Sequence, residues 1–344
     1  MSICPIFDKS VIAVTGNDRA TFLQAQLTAD IEALAEGNSC FACHCDAKGK
    51  TWAIYEVLCE AEQLLLITDT STVNNSLNEF KKYGVFAKAT FTDVTDQYYQ
   101  VGVAADHLST TLEQLAANSS GNSLQAAQAH SDNFQSQCIE YQEQHLWTTY
   151  FSHPIPRYRL LVPIALANAS DADLSNLALE QLSATAQFWA IQHIQAGIPT
   201  LTTANSASFI PQQMNMQALD AICFTKGCYM GQEMVARTKY LGKNKRAGAI
   251  LKADTALPNV ELAQSDTSES APALQLEMQL GDNWRRSGTV LSIAGTNEQT
   301  WLFAVLPNDL AGSEVFRLSN HPEVNFTLQT LPYSLTDAAD AGKM

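Results

Sequence analysis

The eight residues from Lys226 to Glu233, KGCYMGQE, constrain this chain more than any other stretch. Gly227 and Gly231 bracket Cys228 and Tyr229, so the backbone there can bend tightly and another group can approach it closely. From Gly231 the chain continues QEMVARTKY, with Met234 and Val235 on one side and no breaker before Gly242, which predicts a short helix beginning near Gly231. The free amides of such a helix start face the loop and favour an anion. Charge points the same way: Lys226, Arg237, Lys239, Lys243, Lys245 and Arg246 stand against Glu233 alone, in a chain whose formal net charge is −15. A basic island on an acidic body suits a negative ligand, although a solvated basic helix behind a tight turn fits the same residues.

At 344 residues the chain is long enough for two or three units, each with its own core. Hydrophobic content of 46% with 16% charged residues is that of a soluble globular protein, and no apolar run approaches the roughly 20 residues that span a bilayer. The N-terminus, MSICPIFDKS, has no basic region followed by an apolar core, so no secretory signal is expected. Eight irregularly spread cysteines in so long a chain point to free thiols in a reducing cytoplasm. The acidic balance argues against broad nucleic-acid binding and leaves a local RNA contact open.

Along the chain, Ser10 to Thr15 reads as a strand, and Phe22, Leu23, Gln26 and Leu27 recur at helical spacing. Cys40 to Asp46 and Thr51 to Cys59 form a hairpin, Leu64 to Thr68 a third strand, and Ser71 caps a helix carrying Val73, Leu77 and Phe80. Val85 to Val94 returns as a strand. A second block opens at Tyr98 with a helix near 106–117, a polar stretch at 118–137 read as exposed loop with some helix, a strand from Arg157 to Ile164 and a helix over 171–182. Ser183 is then expected to cap a helix with Phe188, Trp189, Ile191 and Ile194 in one stripe, ended by Gly197 and Pro199. After Arg246 short strands follow (AGAILKA, LQLEMQL, GTVLSIAG, QTWLFAVL, VNFTLQTL), a small barrel or sandwich.

Two motifs carry competing readings. CFACHC, from Cys40 to Cys45, resembles a metal ligand set, but strand alternation puts Cys43 and Cys45 on one face and His44 on the other, so no metal is assigned. In the hairpin turn that follows, Asp46 and Lys48 serve equally well as site residues or as an ordinary turn.

KGCYMGQE matches the KGCYxGQE signature of the folate-binding YgfZ-type proteins, which are related to the aminomethyltransferase (T-protein) of the glycine cleavage system. FIPQQMNMQAL, NKRAGAI, NWRRSGTVL and LPYSL extend the resemblance over nearly the whole chain. It implies an α+β protein of T-protein-like, three-part architecture. Residues 1–97 and 98–205 would be interleaved α+β parts, 206–245 the signature and its connector, and 246–335 a C-terminal β-barrel, closing a ring around a central cavity.

The resemblance also implies a tetrahydrofolate or derivative as cofactor, bound by Trp189, Gln195, Lys226, Gly227, Tyr229, Gly231, Gln232, Glu233 and Arg237, with Cys228 as a functional thiol at the cavity wall. Gln195 stands where the relatives carry glutamate, and Lys9, with Phe7 nearby, where an aromatic contact is expected. The implied role is support of iron–sulfur protein assembly or repair, with tRNA modification affected through cluster-dependent enzymes. A monomeric protein is expected. Trp52-Ala53-Ile54 occupies the stretch where T-proteins place a catalytic aspartate, so the alternative of a folate-dependent one-carbon transferase lacks its carboxylate. Direct tRNA contact through 239–246 is the other alternative.

Overall fold

In the computed structural model the described residues are 3–116, 134–141, 144–168, 179–242, 244–257 and 272–335. The chain opens with β1 (Ile3–Pro5), β2 (Lys9–Thr15), α1 (Arg19–Gln26), the hairpin β3 (Ser39–Cys45) and β4 (Thr51–Cys59), then β5 (Gln63–Asp69), α2 (Thr70–Tyr83) and β6 (Thr90–Asp93). Strands β2 to β6 make an antiparallel sheet in the order β3-β4-β5-β2-β6, while β1 crosses into a second sheet. That second unit adds β7 (Tyr98–Ala104), α3 (Leu108–Ala116), β8 (Ser136–Tyr141), β9 (Gln144–Phe151), β10 (Arg157–Pro163), α4 (Ile164–Asn168) and α5 (Leu179–Gln195), with sheet order β1-β7-β10-β9-β8.

Period-two alternation explains how the first sheet is covered on both faces. Ile12, Val14, Ala53, Tyr55 and Val57 point to α1 and α2 and share a core with Phe22, Leu23 and Phe80. Val11, Ala13, Leu65 and Ile67 point the other way and meet Trp147 of β9 and Leu161 of β10, so the two sheets pack against each other. A buried ion pair from Arg159 to Glu56 and the Trp147 Nε1–H bond to Glu60 (2.8 Å) satisfy the polar groups in that seam. Among the CFACHC residues, Cys43 and Cys45 lie in a central core beside Tyr229, while His44 stacks on Phe80 and bonds Ser76 at 2.7 Å.

Beyond α5 the chain runs through two short 3-10 turns to α6 (Gln232–Tyr240), then to a closed antiparallel barrel. Its strands are β11 (Arg246–Ala253), β12 (Gln275–Leu280), β13 (Asn283–Gly295), β14 (Thr300–Pro307), β15 (Val315–Leu318) and β16 (His321–Gln329), ordered β11-β14-β13-β12-β15-β16. The barrel packs on α5 through β13 and β14.

Several expectations need correction. Asp69, not Ser71, occupies the N-cap of α2, and the Ser71 hydroxyl donates to the Leu201 carbonyl. Val85 and Phe86 are exposed, and the returning strand is only Thr90–Asp93; in the first half of that run only Ala87 and Ala89 pack on the core. Helix α5 is already formed at Leu179, so Ser183 lies inside it, and Phe188 is 48% exposed while Trp189, Ile191 and Ile194 are buried. Strands β8, β9 and β15 were not expected, since SQCIEY, QHLWTTYF and VFRL mix polar and apolar residues without clean alternation. Most of the polar stretch at 118–137 and most of the helix expected over 171–182 lie outside the described residues.

Candidate functional site

A cavity of about 520 Å³ opens between the first sheet, α5 and the barrel. Its walls come from Phe7 to Lys9 before and at the start of β2, Asp69 to Asn75 at the start of α2, Trp189 and His193 on α5, Thr200 to Asn205, and Leu291 to Ile293 on β13. Few of these neighbours are close in sequence; the fold assembles them.

Trp189 is held from three sides. Gly102 of β7 presents bare backbone to the indole, and a Cβ there would come within 2.3 Å of the Trp189 ring, so a glycine is required for so close an approach. The Phe151 ring meets the indole edge-on at 5.9 Å, and the Arg157 guanidinium lies 5.1 Å from the indole centre. Arg157 is itself fixed by Nη2–H donation to the Gln192 carbonyl at 3.1 Å.

The polar side of the cavity is a buried ion pair with a neutral histidine nearby. Lys9 Nζ donates to the Asp69 carboxylate, whose other oxygen accepts the Leu201 N–H at 2.9 Å. Burial alone would lower the Lys9 pKa, but the attraction of Asp69 and Asp8 outweighs it and holds the ammonium above its ordinary value. His193, one turn on from Trp189, is pushed well below the ordinary imidazole range by burial and then by the charges of Lys9, Arg157 and Arg159. It is therefore neutral near pH 7. Its Nδ1 is buried with no hydrogen-bond partner among the described residues, an orphaned polar atom in the cavity lining.

The signature residues sit elsewhere. Lys226 is buried, and its Nζ donates to the Gln24, Leu27 and Ala29 carbonyls at 2.6, 2.8 and 2.6 Å. Burial pulls its pKa down to about 8, which still leaves it an ammonium at neutral pH. The Met230 N–H adds a bond to Ala25 O at 3.0 Å. Carbonyls of the last turn of α1 that have no partner in their own helix are thus satisfied by the signature, with a cation at the negative end of the helix dipole.

Tyr229 fills the central core. Gly231, at φ +80°, caps α6 and abuts the β3–β4 turn: a Cβ there would lie 2.6 Å from Asp46 O and 2.8 Å from Gly49 Cα. Gln232 is half-buried and donates from Nε2 to Gly227 O at 3.5 Å. Gly227, Cys228, Glu233 and Arg237 are exposed.

Of the residues expected to hold a cofactor, Trp189 lines this cavity; Gln195, at the end of α5, and the signature residues do not. Cys228, expected at its wall, is instead exposed on the signature loop, because the Lys226 side chain is spent on anchoring that loop to α1. Sequence reasoning passed over Asp69 and His193. Asp69 falls between the expected strand, ending at Thr68, and the expected cap, Ser71, and His193 stands on a helix face that otherwise reads as core; no local pattern marks either.

An antiparallel two-sheet body with a closed barrel, enclosing a cavity at their junction, defines an aminomethyltransferase-like fold. It is similar to the crystal structure of glycine cleavage system aminomethyltransferase T from Bartonella henselae, with a TM-score of 0.63 and 14% identity over 96% of this chain and 85% of that one. The chain is 37% identical to the tRNA-modifying protein YgfZ of Yersinia pseudotuberculosis serotype IB (strain PB1/+), over 98% of this chain and 94% of that protein. It is equally similar to the YgfZ of Yersinia enterocolitica serotype O:8 / biotype 1B. The family model described as YgfZ, beta-barrel domain, matches residues 265–321. This chain belongs to the YgfZ family.

Proposed function

We propose that this protein binds a tetrahydrofolate in the cavity beside Trp189 and acts as a folate-dependent accessory factor for iron–sulfur proteins, so that tRNA modification depends on it through cluster-containing enzymes. The observation that carries the reading is the cavity itself: its volume falls in the range of small-molecule sites, and it joins an aromatic wall to a few fixed polar groups. A flat, hydrogen-bonding heterocycle with an anionic tail fits that chemistry. Trp189 supplies a π-face, neutral His193 a free ring nitrogen, and Lys9 a cation. A bound folate would bring a one-carbon carrier; the chain's own residues would bind and orient it.

The family's naming for tRNA modification supports the cellular role. The transferase alternative is less well supported. Ala53 and Ile54 are buried and apolar, and of the two carboxylates lining the cavity, Asp8 and Asp69, the buried one, Asp69, is already engaged by Lys9 and the Leu201 amide. A direct RNA contact rests on the basic stretch 239–246, where Lys239, Lys245 and Arg246 are exposed; Lys243 lies outside the described residues. The reading places the protein in the cytoplasm as a monomer, and among the described residues no helix is long and apolar enough to cross a membrane.

Calorimetric titration with tetrahydrofolate tests the reading. Wild-type protein is expected to bind, Trp189→Ala to bind at least about tenfold more weakly (~1.4 kcal/mol), and Arg237→Ala to match wild type. Trp189→Ala is also expected to fail to restore the activity of a cluster-containing tRNA-modifying enzyme in cells lacking the protein. Equal affinity of Trp189→Ala and wild type would remove the cavity from the account.

A further inference from the structure

We propose that Cys223 and Cys228 are a redox-active dithiol, built on the loop that wraps the end of α1 and closing to an intramolecular disulfide by exchange with a small disulfide. The proposal stands apart from the folate reading, because neither thiol lines the Trp189 cavity.

The loop's geometry is the first support. Stretched out, the seven-residue step from Cys223 to Met230 would span roughly 24 Å. Its ends are instead pinned side by side, Cys223 N–H to Thr28 O at 2.9 Å and Met230 N–H to Ala25 O at 3.0 Å. The chain bends continuously through Phe224 to Gly227. Between the pins the Lys226 ammonium reaches inward to three carbonyls of the same 24–29 stretch. The turn therefore folds back on itself, with Cys223 at one pin and Cys228 two residues before the other, a six-residue ring when the two sulfurs join. A Cβ on Gly227 would meet nothing within 4 Å, so the space beside Cys228 is open to a reagent.

The two thiols also differ from the rest. Cys4, Cys43 and Cys45 are buried, and Cys40, Cys59 and Cys138 are half-buried with burial raising each thiol pKa, to about 12 at Cys40 and Cys138. Cys228 is exposed. Cys223 is half-exposed with its Sγ 3.5 Å from the Thr225 hydroxyl. Its pKa lies below the ordinary thiol value: its slight burial acts upward, but the Thr225 hydroxyl and the Thr225 and Lys226 amides outweigh that. The pair thus joins a thiolate-favouring sulfur to an accessible partner, the division of labour an attacking and a resolving thiol need.

The chemistry balances as two exchanges. The Cys223 thiolate attacks one sulfur of a small disulfide, forming a mixed disulfide and releasing one thiolate. Cys228, after losing its proton to solvent, attacks the Cys223 sulfur and expels the second thiolate. Two electrons pass from the protein to the small disulfide, and two small thiols reverse the step.

The test treats the full chain with oxidised glutathione at neutral pH, alkylates remaining thiols and maps the products by mass spectrometry. Wild-type protein is expected to give a Cys223–Cys228 disulfide and retain no glutathione. Cys228→Ser should hold one glutathione on Cys223, whereas Cys223→Ser should react at Cys228 about tenfold more slowly and never close. Wild-type protein that accumulates glutathione on Cys228, or leaves Cys223 unmodified, would overturn the proposal whatever the folate titration shows.

Discussion

Replacing Lys226 by methionine is expected to cost about 3–5 kcal/mol of stability and to shift the urea unfolding midpoint down accordingly. The side chain keeps its length and apolar stem, so packing is nearly conserved. What is lost is a buried ammonium that satisfies three carbonyls at 2.6–2.8 Å around the end of α1. An unmet buried acceptor costs about 1–3 kcal/mol. Lys239→Met, which removes an exposed charge of the same basic segment, is the control and should change stability by no more than about 0.5 kcal/mol. If the two variants unfold alike, the anchoring role of Lys226 is wrong.

Gly231→Ala is expected to be nearly as damaging, by roughly 2–5 kcal/mol. The residue sits at φ +80°, where a Cβ is strained in any surroundings, and here the Cβ would meet Asp46 O at 2.6 Å and Gly49 Cα at 2.8 Å. Both are backbone atoms of a tight turn and cannot swing aside as a side chain would. Relief requires parting α6 from the β3–β4 hairpin, which would uncover Tyr229 and the Cys43–Cys45 face of the central core. Gly227→Ala provides the contrast: that position is open and its φ is not positive, so denaturation midpoints should separate the two glycines clearly.

These two positions show how much could be read from the chain. That Gly227 and Gly231 permit a bend was visible, and so was the helix starting at Gly231, because turn chemistry and helix breakers are local. The partner of the bend was not. Nothing in KGCYMGQE says that Lys226 turns inward to an α1 helix end some two hundred residues earlier, and a charge count treats every lysine as solvent-facing. The β3–β4 hairpin and most barrel strands were legible from alternation and turn residues, whereas β8, β9 and β15 are stabilised by neighbours rather than by their own pattern. The cavity was least legible: Lys9, Asp69 and His193 come from three separated elements, and of the lining only Trp189, and Lys9 with Phe7 as the place of an expected aromatic contact, were singled out beforehand.

The structure divides the work between two places. The signature fastens α1, the hairpin turn and α6 together, and the junction of sheet, α5 and barrel encloses the cavity proposed to hold the ligand. Hydrogen–deuterium exchange of the full chain with and without saturating tetrahydrofolate tests that division directly. Slower exchange is expected in the segments around 69–75 and 189–205, with 226–233 unchanged. Protection centred on 226–233, with the Trp189 segment unaffected, would contradict it.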